Sequence, residues 1–200
     1  MNRYIIVIII IIFILLTYYW STGNLILVKT SDGKKFYVIN MENSNIAAEY
    51  LSRINVNISK LLFRLKQEYG HSHPIVMSII KKYNPDVLSE HRPNMFNSSV
   101  AYTTNKGEDL NICLRNWNKN GELLDFNTVM FVALHELTHI GIKEWGHPTV
   151  FWESFKFILK ESIKIGIYTP IYYQIKPVEY CNGLVIAYNP FFDEKLSTLI

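Results

Sequence analysis

The chain has 200 residues, enough for one domain of ordinary size, and its 49% hydrophobic and 14% aromatic content is that of a folded rather than a disordered protein. The net charge of +3 is mild. It does not supply the strongly basic face expected of a nucleic-acid-binding domain.

Tyr4 to Leu16 is almost pure isoleucine, leucine, valine and phenylalanine, and Thr17-Tyr18-Tyr19-Trp20 closes it with aromatics of the kind found at a membrane interface. The stretch reaches the short end of the roughly 17 to 25 residues needed to span a bilayer. The expectation is therefore a transmembrane anchor over residues 1–22, a partner membrane of host or virion, and one domain over residues 23–200. A cleaved signal peptide is the rival reading, with Ser21-Thr22-Gly23 as a weak small-x-small site crowded by aromatics. Arg3 precedes the stretch while Lys29, Lys34 and Lys35 follow it, which leans the positive-inside count towards a cytoplasmic catalytic part. Asn57-Ile58-Ser59 and Asn97-Ser98-Ser99 are sequons that would matter only on the other side.

Leu25 to Thr30 and Lys35 to Asn40 flank Ser31-Asp32-Gly33-Lys34, which predicts a hairpin with an Asp-Gly turn. From Asn43 to Tyr69, apolar residues recur at helical spacing (Ile46, Ala47, Tyr50, Leu51, Ile54, Ile58, with further leucines), predicting a long amphipathic helix that ends at Gly70. His71 and His73 sit in a polar break before Pro74 and read as surface histidines. A short helix is predicted over Ile75 to Tyr83. After a loop around Pro85 and Pro93, strands are predicted over Ser99 to Thr104 and Leu110 to Arg115, joined through Lys106-Gly107-Glu108. Cys113 and Cys181 lie far apart in apolar or aromatic surroundings and read as two buried thiols rather than one disulfide, though a pair stays open.

Asp125 can cap a helix whose residues Phe126, Val129, Met130, Val132, Ala133 and Leu134 leave little polar face, as in a buried central helix. His135-Glu136-Leu137-Thr138-His139 interrupts it. Residues four apart lie on one helix face, so both imidazoles can reach one metal ion, and Glu136 can take a proton from water bound there. The bare pattern arises by accident in about one chain of this size in a hundred. Its apolar setting strengthens it, since three buried polar groups need a partner and a metal serves them all.

A catalytic zinc takes three protein ligands and leaves one position open. Gly141 and Gly146 let the chain leave the helix and turn back, and Pro148 suits the start of a following helix, which makes His147 the third candidate. The metzincin third position falls on Trp145, and no methionine follows Met130 to form a Met-turn. Glu153 or Glu161, on the helix predicted from Pro148 to Ile165, remains an alternative ligand. Tyr102 or His91 is conceivable as the oxyanion partner, but spacing does not choose between them.

Asp109-Leu-Asn-Ile-Cys-Leu-Arg115, Phe126, the motif itself, Gly146-His147 and the pair Phe151-Trp152 together resemble the WLM (Wss1p-like) metallopeptidase family and the related SprT-like group. Pro177-Val-Glu-Tyr-Cys181, Gly183 and Ile186 are similar to its large-DNA-virus branch, so that the resemblance covers roughly residues 99–190. It implies an α+β, zincin-like fold with a small sheet packed on helices, a protein or peptide substrate, and one Zn2+ held by three histidines matching His135, His139 and His147, with a catalytic glutamate matching Glu136. Family members studied as proteases cut proteins crosslinked to DNA, but this chain has no obvious basic DNA-binding tail. Two other classes stay open: a structural protein retaining a zinc site, and a zinc hydrolase acting on a small amide or cell-wall peptide.

Overall fold

The computed structural model describes residues 3–21, 24–70, 72–93 and 98–197. Its architecture is α+β, with five α-helices and several small sheets among the described residues.

The first helix, α1 (Arg3–Ser21), corrects the expectation of a membrane anchor. Its described side chains from Tyr4 to Leu16 are exposed, and no helix among the described residues is long and apolar enough to cross a membrane. The reason is length: the unbroken apolar part, Ile5 to Leu16, rises only about 18 Å at 1.5 Å per residue, against a hydrocarbon core of about 30 Å. The single-pass localisation and its orientation fall with the span. The aromatic side chains at 18–20 and the segment 22–23 lie outside the described residues, as do His71 and Asn97.

Strands β1 (Leu25–Lys29) and β2 (Lys35–Ile39) form the predicted hairpin, with Lys29 opposite Lys35. Helix α2 (Ser44–Tyr69) ends at Gly70 as its pattern requires, and buries Leu51, Ile54, Ile58, Leu61 and Leu65 completely. Ile46 instead faces solvent. The Asn57 sequon lies within α2, half-buried. Helix α3 (Pro74–Lys82) follows, and His73 just before it stacks on Phe157 at 4.7 Å.

A strand that the sequence did not suggest, β3 (Leu88–Glu90), pairs parallel with β5 (Asp109–Ile112). On the other side of β5 lies β4 (Ala101–Thr104), antiparallel and at the sheet edge. β6 (Arg115–Asn116) and β7 (Glu122–Leu123) make a small ribbon that leads into α4 (Phe126–Gly141). The Thr128 amide donates to the Asp125 carboxylate at 2.9 Å, the expected cap. Val129, Met130, Ala133, Leu134 and Leu137 are fully buried, so α4 is the central helix of the core. Helix α5 (Thr149–Lys164) packs on it through Phe151, Phe155 and Ile158. The chain closes with a hairpin, β8 (Val178–Tyr180) and β9 (Leu184–Ile186).

That hairpin is tied to the end of the main sheet by a bond contrary to expectation: Cys113 and Cys181 form a disulfide, with Cα atoms 5.9 Å apart and both residues fully buried. The Tyr180 hydroxyl donates to the Cys113 carbonyl at 2.6 Å, and the Trp117 amide donates to the Cys181 carbonyl at 3.0 Å.

Gly141 sets how closely α4 approaches α3. A Cβ there would lie 2.7 Å from Ile79 Cγ1 and 2.9 Å from Ile75 Cγ2, and Ile79 is fully buried with nowhere to go. Gly141→Ala is therefore expected to lower stability by about 1–3 kcal/mol through overpacking, seen as a lower denaturant midpoint. An unchanged midpoint would mean that the two helices separate freely.

Candidate metal centre

α4 carries His135 and His139 one turn apart, and the loop after it, turning at Gly146 with φ +72°, brings His147 back over them. The three Nε2 atoms are 3.2 Å (His135 to His139), 3.1 Å (His139 to His147) and 3.0 Å (His147 to His135) apart. Ligands at 2.0–2.1 Å around a tetrahedral zinc would stand about 3.3 Å from one another, so the spacing fits a shared ion to within a few tenths of an ångström.

The chemistry of the donor set points the same way. A neutral ring nitrogen is either a donor or an acceptor, so among three mutually adjacent nitrogens at least one pair must be alike and repel. Protonation does not resolve this. Burial, then repulsion from His139 and His147, holds His135 well below the usual imidazole range; burial foremost takes His139 down to about 4 and lowers His147 as well. A divalent cation removes the conflict, because it accepts electron pairs from all three neutral rings.

Glu136 is 6% exposed and, among the described residues, has no hydrogen-bond or ion-pair partner; burial pushes its carboxyl up to about 8. An uncompensated buried carboxylate is costly, and a cation in the adjacent imidazole cluster would compensate it. The side chain lines two cavities that meet beside His135, a groove that holds all three histidines and a smaller apolar pocket. The groove, about 480 Å³, also touches His139, His147, Tyr102 and edge strand β4.

The alternative ligands lie elsewhere. Glu161 accepts hydrogen bonds from Tyr69 at 3.0 Å and Lys164 at 2.6 Å, and Glu153 accepts one from Ser197. His91 places Nε2 2.9 Å from the Ser99 carbonyl oxygen and meets Tyr102 edge-on, so that Tyr102 is the one of the two that lines the groove.

Two supports were not apparent as such in the sequence. Phe151, fully buried, packs on all three imidazoles with ring centroids 4.8, 4.3 and 4.6 Å from His135, His139 and His147. Its position four residues after His147, at the start of a helix, was the available signal. The second support is Lys106, whose ammonium donates to the Ile142 carbonyl at 2.7 Å and the Glu144 carbonyl at 3.1 Å, pinning the loop that carries His147. No pattern in the sequence links residues so far apart. Lys106→Met should weaken zinc binding by about 10–100-fold, as loss of a supporting hydrogen bond does, with partial recovery in Lys106→Arg. Chelator competition measures this, and unchanged affinity would show that the loop is held without it.

The family model described as the WLM domain matches residues 34–175. Uncharacterized protein R325 of Acanthamoeba polyphaga mimivirus is 35% identical over 156 residues, covering 76% of this chain and 77% of its own. Uncharacterized protein 136R of invertebrate iridescent virus 6 is 33% identical over 70 residues, 34% of this chain and 38% of its own. Uncharacterized protein 042R of invertebrate iridescent virus 3 is 34% identical over 83 residues, 38% of this chain and 51% of its own. No solved structure matches the chain significantly.

Proposed function

Because this chain belongs to the WLM domain family, whose members are associated with zinc metalloprotease-like proteins, we propose that it is a zinc-dependent metallopeptidase. The observation that carries the reading is the convergence of three imidazole nitrogens within 3.2 Å of one another beside a buried carboxylate. The proposed catalytic domain is residues 23–200.

His135, His139 and His147, which line the groove, would hold one Zn2+. When bound, zinc supplies Lewis acidity, lowering the pKa of a coordinated water and polarising a carbonyl. Glu136 accepts the proton of the attacking water and returns it to the leaving amine, so one carboxyl serves as base and then as acid. β4 is an edge strand along the same groove, so its free backbone groups can pair with an extended peptide and lay a scissile carbonyl across the site. Tyr102, on that strand, has its hydroxyl pKa raised by burial and is the candidate donor to the oxyanion.

Metal removal tests the reading. Chelation should abolish cleavage of an unstructured protein and lower thermal stability, and one equivalent of zinc per chain should restore both. Cleavage that survives chelation would overturn the metal's role.

A further inference from the structure

The apolar cavity beside the metal centre is not accounted for by the chemistry above. It holds about 260 Å³ and shares His135, Glu136, Val100, Ala101 and Leu184 with the groove of the three histidines, so it opens onto the place where the scissile bond would lie. Small-molecule sites usually run from about 300 to 1,000 Å³, so this one suits a single large side chain rather than a whole ligand. Phe131 and Val132 of α4 and Phe155 of α5 form one side, while Leu184, Val185 and Ile186 of β9 form the other. That second wall lies beyond residue 175, where the family match ends, and it is fixed in place by the Cys113–Cys181 disulfide and by the Asn118 side-chain amide donating to Glu179 at 3.0 Å.

We propose that this cavity is the specificity pocket of the enzyme: it takes one bulky aliphatic or aromatic side chain adjoining the scissile bond, and the C-terminal hairpin sets that preference. The proposal rests on the metallopeptidase reading. A substrate residue of the leucine or phenylalanine class buries apolar surface against both walls, whereas glycine or alanine leaves the cavity unfilled and a charged residue loses its hydration there. A hydrophobic pocket discriminates by about 10–200-fold for each methylene, so the preference over alanine should reach at least tenfold.

The experiment uses blocked hexapeptides identical except for one central residue, Gly, Ala, Leu or Phe, with the cut bond located by mass spectrometry. Zinc-loaded wild type is compared with Leu184→Asp, and binding of the same peptides to Glu136→Gln and to Glu136→Gln/Leu184→Asp is followed by calorimetry, which needs no turnover. Leu184 is half-exposed, so the substitution should leave the melting temperature unchanged. Expected are cleavage beside Leu or Phe at least tenfold faster in kcat/KM than beside Ala, a matching order of binding, and loss of most of both preferences in the Leu184→Asp proteins. Equal rates for all four peptides, or a preference that Leu184→Asp does not move, would overturn the pocket. Selective binding with no cleavage by wild type would count against the peptidase reading and for the pocket.

Discussion

Glu136→Gln is expected to retain one zinc per chain and to lose about 10²–10⁴-fold in kcat, the usual worth of a positioned general base. The amide keeps the shape of the side chain but cannot accept the proton of the attacking water. The wild-type carboxyl is buried with no hydrogen-bond or ion-pair partner among the described residues, so the neutral replacement should not destabilise the metal-free chain. Separate assays of zinc content, melting temperature and turnover check these three parts independently. Full activity in the variant would remove Glu136 from the mechanism, and loss of zinc would show that it helps to hold the ion instead.

The largest stability effect is expected away from the site, at Arg115. This residue is fully buried and its Nε donates to the Glu90 carboxylate at 2.7 Å, while Nη1 donates to Asn43 and to the Gly121 carbonyl. Glu90 in turn accepts the Ile39 amide at 2.8 Å, so one pair joins β2, β3, β6 and the entrance to α2. Arg115→Met strands a buried carboxylate and should cost about 3–5 kcal/mol, a large part of the roughly 5–15 kcal/mol that holds a domain together. The pH dependence has a definite sign. Burial already outweighs Arg115 and raises the Glu90 pKa in the wild type, and removing the guanidinium raises it further. A carboxyl whose native pKa lies above its unfolded value binds protons more tightly when folded, so the deficit of Arg115→Met should be smallest in acid and grow as pH rises through the carboxyl range. Adding Glu90→Gln should recover part of the loss, because an amide can still accept the Ile39 hydrogen bond without carrying charge. A deficit independent of pH, or a double variant no better than the single, would contradict this assignment.

What could be read in the sequence was local. The i, i+4 spacing of His135 and His139, the adjacent Glu136, the Asp125 cap and the glycine and proline around His147 each act within a few residues, and the structure brings the three imidazoles together. The hairpin at Asp32-Gly33, α2 and the β4–β5 pair were legible for the same reason. What the sequence hid was the outcome of long-range packing. β3 is three residues long and pairs in parallel, which leaves no alternation to see. The disulfide joins residues 68 apart, and Lys106 reaches the His147 loop from 36 residues away. At the N-terminus the limit is different: the aromatics resemble those of a membrane interface, but the apolar run they flank is too short to make a span.

X-ray absorption at the zinc edge of the purified protein tests the proposed centre most directly. Three imidazole nitrogens and one oxygen at about 2.0–2.1 Å are expected, with one nitrogen lost in His147→Ala. A sulfur in the coordination sphere, or a spectrum that His147→Ala leaves unchanged, would contradict the three-histidine site.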